Sequence, residues 1–212
     1  MTTEIDNLVV WPSPFIFWEE VENHQEIKNN FLPKIKDECN DEKYHTTPGK
    51  INRVDNEIPS IWNCEVITSY FHRKQLKEQD FFTKEIIESV IKKPLLNFYN
   101  LPNCPTRKKP KDYVLKEIWF NSYKPGYYQE THDHSGTTIS GIYLLELNEP
   151  NTTIFLNYSP STCQYAETIR PLYETRHIKE GNVILFPSEL THSVEVCSTE
   201  KTSISFNILC EY

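Results

Sequence analysis

No run of about eighteen apolar residues, the length a membrane-spanning helix needs, occurs anywhere in the 212-residue chain. The opening Met1-Thr2-Thr3-Glu4-Ile5-Asp6 has neither the basic region nor the apolar run of a secretory signal. A cytoplasmic location with no membrane partner is therefore expected. An excess of basic residues is also missing. The net charge is −8, and a phosphate backbone rewards clustered Lys and Arg, so nucleic acid is not an expected partner. The single basic run, Arg107-Lys108-Lys109-Pro110-Lys111, reads as a solvated loop bracketed by Pro105 and Pro110. Cysteines 39, 64, 104, 163, 197 and 210 form no Cys-x-x-Cys pair, which excludes a zinc ribbon and favours free thiols in a reducing compartment. The sequons at Asn151 and Asn157 read as chance matches without a secretory signal. There is no internal repeat, and no heptad fixes an oligomeric state.

The order of patterns along the chain predicts helices first and strands later, in one domain of comfortable size. Residues 1–112 read as helical support and loops, and residues 113–212 as a β core. Phe15 to Trp18 suggests a short strand. Glu19 to about Lys36 suggests an amphipathic helix with Val21, Ile27, Phe31 and Ile35 on one side, its end blurred by Pro33. Residues 37–60 are polar and read as a long loop or lid. A second helix is expected from an Asp80 N-cap through Ile86, Ile87, Val90 and Ile91, interrupted at Lys92-Lys93-Pro94, with Leu95, Leu96 and Phe98 continuing its apolar face. From Tyr113 the pattern is β. Ile139–Leu147, Thr152–Leu156, Arg170–Tyr173, Asn182–Phe186, His192–Val196 and Thr202–Leu209 are enough strands for a jelly roll with helices packed on one face.

Chemistry concentrates in the β half. His132-Asp133-His134 is followed at a distance by His192 and then by Lys201-Thr202-Ser203. Residues i and i+2 of a strand project to the same side, so His132 and His134 can point at one ion while Asp133 points away. A strand bulge would present Asp133 in place of His134. Two or three ligands converging on one face of a metal, with open positions opposite, is the requirement of a non-heme iron site. His24, His45, His72 and His177 lack such company and read as ordinary surface or satisfied residues. Lys201 begins the alternation Thr202-Ser203-Ile204-Ser205-Phe206-Asn207, a place where a charged side chain needs an inward partner.

The segments Tyr123-Lys124-Pro125-Gly126, His132-Asp133-His134, Ser140-Gly141-Ile142-Tyr143, Gly181, Leu185-Phe186-Pro187-Ser188, His192-Ser193-Val194 and Lys201–Asn207 together resemble the 2-oxoglutarate/Fe(II) oxygenases. Within them they resemble the prolyl-hydroxylase-like branch of bacteria and marine phages. The resemblance spans residues 113–209, with a weaker likeness in Val10-Trp11-Pro12-Ser13-Pro14-Phe15. It implies a double-stranded β-helix (a jelly roll, cupin-like) in which His132, His134 and His192 hold Fe(II). Lys201 and Ser203 would then bind the distal carboxylate of 2-oxoglutarate, with the Tyr123 hydroxyl as a further contact. The implied reaction is hydroxylation of a substrate C–H by O2 with release of succinate and CO2, ascorbate being an allowed reductant. The implied partners are the keto acid, O2 and a peptide, protein or small-molecule substrate, with a peptidyl proline as first guess. A phage-encoded copy would act in the host cytoplasm.

Two positions depart from the usual family pattern. His134 stands where Asp is common, giving a three-histidine set with one less negative charge. Lys201 stands where Arg is more usual, so the carboxylate would meet a point charge instead of a planar fork. Leu144 also replaces a tyrosine that often follows Tyr143. A cupin shares part of the histidine pattern, with Gly126 before His132-x-His134 and with Gly181, Pro187 and His192 later. Its first-motif glutamate is missing from Ser135 to Ile139, and Glu189 and Val196 stand where its second motif has glycine and asparagine. The alternatives are thus a three-histidine cupin enzyme working without a keto acid, or a non-catalytic β-roll that binds a ligand. Trp119, Tyr127 and Tyr128 are candidates for the mouth of the site.

Overall fold

The computed structural model describes residues 3–5, 8–10, 15–46, 64–72, 82, 84–105, 109–156 and 171–212. These build two antiparallel sheets from strands β1 (Thr3–Ile5), β2 (Leu8–Val10), β3 (Phe15–Glu20), β4 (Ile67–Thr68), β5 (Asp112–Tyr123), β6 (Gln129–His132), β7 (Ile139–Leu147), β8 (Thr153–Leu156), β9 (Pro171–Glu174), β10 (Asn182–Pro187), β11 (His192–Val194) and β12 (Lys201–Glu211). The larger sheet runs β1-β2-β3-β10-β7-β12-β5-β4 and the smaller β6-β11-β8-β9. Through the second half the chain crosses back and forth between the sheets, only β8 and β9 following one another in the smaller, which is the winding of a double-stranded β-helix.

Alternation along the central strands decides what lies on each face. On β12, Ile204, Phe206 and Ile208 join the core under the helices, while Lys201, Ser203 and Ser205 face the cleft between the sheets. On β5, Ile118 and Phe120 take the helix side and Trp119, Asn121 and Tyr123 the cleft side. Both faces are buried, so a period of two here separates apolar core from polar interior, not core from solvent. A second cluster, with Ile16, Ile142, Leu144, Phe155, Ile184 and Phe186, fills the closed end between the sheets.

Helix α1 (His24–Glu38) buries Ile27, Phe31 and Ile35 at helical spacing. It starts later than the sequence suggests because Glu19 and Glu20 pair with Val183 and Asn182, extending β3. Val21 is buried in the turn between strand and helix, where Asn23 takes a left-handed conformation at φ 59°. Pro33 lies within the helix. The second helical region does not break at Lys92-Lys93-Pro94. It runs from α2 (Lys84–Ile86) through a π-helical stretch, Ile87–Lys92, into α3 (Lys93–Asn100). A wider turn ahead of Pro94 accommodates its ring and its missing N–H, which would otherwise interrupt the helix. Leu96 is exposed, so the apolar face of α3 is Leu95, Phe98 and Tyr99.

The first half contributes strands as well as support, since β1 to β4 all lie ahead of residue 112. Within residues 37–60, helix α1 ends and a 3-10 turn (Glu42–Tyr44) follows; residues 47–60, like Asp80, lie outside the described residues. So do Cys163, Asn157, Arg107 and Lys108. The remaining five cysteines are free thiols. Lys109 and Lys111 reach Asn100 and the Tyr212 carbonyl. Among the described residues no helix is long and apolar enough to cross a membrane.

Candidate metal centre and cosubstrate cleft

β6 and β11 are adjacent in the smaller sheet and pair His132 directly with His192. β6 ends there, so His134 is not carried on a regular strand. Its backbone N–H donates to the Ser188 carbonyl at 2.8 Å, which folds the chain back over the cleft. The Ser188 side chain is itself held, by Thr137 at 2.8 Å and by Ser140 at 2.9 Å, and Ser140 donates onward to Asn207. The three rings converge: centroids lie 4.3 Å apart for His132 and His192, 5.1 Å for His132 and His134, and 5.2 Å for His134 and His192. One nitrogen from each lies within 4.8 Å of the others, a spacing that could hold a metal ion.

The hydrogen bonds select the tautomers. His132 Nδ1 sits 2.8 Å from the Glu130 carbonyl and His192 Nδ1 sits 3.0 Å from the Leu190 carbonyl. A carbonyl only accepts, so both Nδ1 atoms carry the proton and each ring presents Nε2 as its lone-pair nitrogen, the atom a cation would take. Burial keeps all three imidazoles neutral, as metal binding requires. Desolvation lowers His132, takes His134 down to about 3 with help from its neighbour His132, and pushes His192 well below the ordinary histidine range. Phe155 and Phe186 wall off His192, and Trp119 leans on His134. Asp133 is exposed and turned outward, accepting from the N–H and hydroxyl of Ser135, so no bulge presents it to the cluster.

Deeper in the same cleft, β5 and β12 face each other in three pairs: Tyr123 with Lys201, Asn121 with Ser203, Trp119 with Ser205. Lys201 is 1 % exposed. Its Nζ donates to Asn151 Oδ1 at 2.9 Å and to Thr153 Oγ1 at 3.0 Å, and lies 5.5 Å from the Tyr123 ring centre. Among the described residues no carboxylate comes within ion-pair distance of it. Desolvation without a counter-charge takes this ammonium down from the ordinary lysine value to about 8. Tyr123 is buried and donates to Gln129 Oε1 at 2.7 Å, and burial raises its phenol well above the usual range. Ser203 lines the cleft beside it.

The structure therefore gathers His132, His134, His192, Lys201, Ser203 and Tyr123 around one cleft. Trp119 also lines it, whereas Tyr127 and Tyr128 pack beside Cys64, Val66 and Cys197 instead. Sequence reasoning missed Asn121, Gln129, Thr153 and Asn151. Strand parity with Tyr123 could have found Asn121. Nothing local marks Asn151, which is fully buried at the end of the β7–β8 connection. The other histidines have separate occupations: His24 on Tyr143 and Glu180, His45 on the Cys39 carbonyl, His177 against Trp18, and His72 against Tyr44.

Residues 117–207 match the profile of a family described as "Putative 2OG-Fe(II) oxygenase". The segment that carries the site is thus similar in sequence to the 2-oxoglutarate/Fe(II) oxygenases. This match and the histidine triad support a non-heme Fe(II)- and 2-oxoglutarate-dependent enzyme over the cupin and non-catalytic alternatives. Solved structures share the oxygenase fold at low identity. A prolyl hydroxylase of Trichoplax adhaerens, in complex with a peptide fragment of hypoxia inducible factor, is 8 % identical with a TM-score of 0.52, covering 92 % of this chain and 83 % of its own. AviO1 of Streptomyces viridochromogenes is 10 % identical with a TM-score of 0.53, covering 92 % and 89 %. SnoK, an alpha-ketoglutarate-dependent carbocyclase of nogalamycin biosynthesis, is 9 % identical with a TM-score of 0.53, covering 92 % and 79 %. A comparison with curated proteins finds no match. The site passes a chemical test for the oxygenase's two cofactors. Three neutral imidazoles whose nitrogens converge suit Fe(II), and a buried ammonium without a counter-charge suits a carboxylate.

Proposed function

We propose that this oxygenase hydroxylates a C–H bond of a peptide, protein or small-molecule substrate, with a peptidyl proline as the first class to test, and that the whole chain forms one catalytic domain working in the cytoplasm. His132, His134 and His192 hold Fe(II), with His134 and not Asp133 as the second ligand. Lys201 and Ser203 receive the distal carboxylate of 2-oxoglutarate, and the Tyr123 hydroxyl borders the same pocket. When bound, Fe(II) and 2-oxoglutarate would supply, with O2 as the oxidant, oxidative decarboxylation to succinate and CO2, one oxygen atom entering succinate and the other the substrate as hydroxyl.

The observation that carries this reading is the single cleft shared by the histidine triad and the buried Lys201. The protein's own work is placement and exclusion of water. Phe155, Phe186 and Ile142 make the iron end apolar on its inner side, which leaves His192 no polar competitor for its free nitrogen. On the outer side a groove lined by Thr68, Tyr70, Trp119, Gln129, Asp133 and the first two histidines opens toward solvent and gives a substrate its approach. Tyr70 stands edge-on to Trp119 at 5.1 Å, forming an aromatic platform beside the reacting centre.

The test is an anaerobic titration of the apo protein with Fe(II) and then 2-oxoglutarate, following the visible charge-transfer band of the ternary complex. A band that requires both components is the expected result. Iron binding without a band on adding the keto acid would remove Lys201 and Ser203 from their assigned roles. An absence of iron binding would remove the triad.

A further inference from the structure

The hydrogen bonds around Lys201 form a directed chain whose sense the chemistry fixes. Thr153 O is a backbone carbonyl and only accepts, so the Thr175 hydroxyl, 2.6 Å away, must donate to it. With its proton committed, Thr175 Oγ1 accepts from Asn151 Nδ2 at 2.8 Å. The Asn151 amide therefore has one orientation, with Oδ1 aimed at Lys201 Nζ. Thr153 Oγ1 accepts the second ammonium N–H and bonds Asn151 Oδ1 at 3.2 Å, and Thr153 N–H also reaches that oxygen at 3.3 Å. Every member is buried.

All these oxygens are neutral. Glu149, the acid with a Coulombic influence on Lys201, is occupied by the backbone N–H groups of Ser198 and Thr199 and the Ser198 hydroxyl. Cys197 is kept as a neutral thiol by burial. Among the described residues, two of the three ammonium N–H groups are thus satisfied without cancelling the charge, which leaves the third, on the side of the Tyr123 ring, to the cleft. Carboxylate partners in place of the amide and hydroxyl would hold the lysine as firmly and leave it nothing to attract an anion.

We propose that Asn151 is the residue that positions Lys201 for an incoming carboxylate, through an amide locked by Thr175, and that Asn151 and Thr153 together form a neutral cage that reserves the lysine's charge for the ligand. This rests on Lys201 being the cosubstrate anchor. Asn151 acts through Lys201 and contacts no reacting atom.

The decisive variant is Asn151→Asp, which keeps the shape and replaces a neutral partner with a charged one. With the Fe(II)-loaded protein held anaerobic, 2-oxoglutarate affinity should weaken roughly tenfold to a hundredfold, the range expected for losing a charge-assisted contact. Its melting temperature and Fe(II) affinity should be retained, and its residual 2-oxoglutarate affinity should no longer change between pH 7 and 9. Lys201→Ala is measured alongside. Should Lys201→Ala weaken the keto acid while Asn151→Asp binds it as the native protein does, the cage is wrong and the anchor stands. Native affinity in Lys201→Ala would overturn the anchor itself, and the cage with it. Should Asn151→Asp fail to fold, Thr175→Val frees the amide to turn and is expected to raise the KM for 2-oxoglutarate several-fold with kcat kept. Thr175→Ser restores it. An unchanged KM in a folded Thr175→Val would again overturn the proposal.

Discussion

The two ends of the cleft are held in opposite ways. At the iron end the anchors are local: each of His132 and His192 is fixed by the carbonyl two residues before it, on short strands paired with one another. At the lysine end the anchors are remote, because Lys201 is fixed by the side chains of Asn151 and Thr153, brought in from the other sheet and the connection leading to it. The histidine end needs neutral bases and obtains them by burial, with help from the neighbouring imidazoles. The other end needs a charge kept alive in a buried place, and burial works against it, so a built polar shell is required. A ligand triad can therefore be specified by a few neighbouring residues, whereas a buried cation draws on the whole fold.

The contrast is tested most severely by His192→Ala. It removes the most buried of the three ligands and should abolish both Fe(II) binding and keto-acid turnover while leaving the fold in place; full activity by succinate release would sink the assignment. Lys201→Met should separate the ends. Iron binding stays, 2-oxoglutarate affinity drops by about a hundredfold or more, and the apo protein gains stability on the order of 2 kcal/mol, because a buried charge has been replaced by an apolar chain of similar length. Denaturant melts of the two apo proteins measure that gain, and a less stable variant would show that the ammonium is no burden. The smallest effect is that of pH. Lys201 binds its proton less tightly in the folded apo protein than in the unfolded chain, so its burial depresses stability fully below about pH 8. That penalty is relieved as pH climbs from there toward the ordinary lysine value. Affinity for the keto acid runs the other way, flat below about pH 8 and falling by up to tenfold per unit above it. Tyr123, Cys197 and Glu149 are the titratable groups that face this lysine. A binding curve flat to pH 9.5 would mean that the ammonium is not what the ligand meets.

The same contrast explains what the sequence reveals. The six strands expected between Ile139 and Leu209 all form, and the triad is gathered as its pattern suggests, because period-two alternation and histidine spacing are local signals. Strand parity accounts only in part for the place of His134. It reaches the metal end by a backbone bond to Ser188 after β6 has ended, not by strand parity. Asn151 went unseen because its role exists only once the β7–β8 connection, Thr175 and β12 meet. The later start of α1 and the unbroken helix at Pro94 have a related reason: pairing of Glu19 and Glu20 with β10 overrides the helical pattern, and a widened turn absorbs the proline.

Strand β12 sits between β7 and β5 and follows every other described strand along the chain. During synthesis, then, the histidines emerge from the ribosome before the strand that carries Lys201, Ser203 and Ser205. Until β12 inserts, the larger sheet is two separate pieces, and the triad has no floor on which a keto acid could be seated. With the residue roles proposed above, a growing chain that captured iron early would be unable to turn it over with 2-oxoglutarate, and the order of the strands would delay reactive oxygen chemistry until the barrel that contains it is closed.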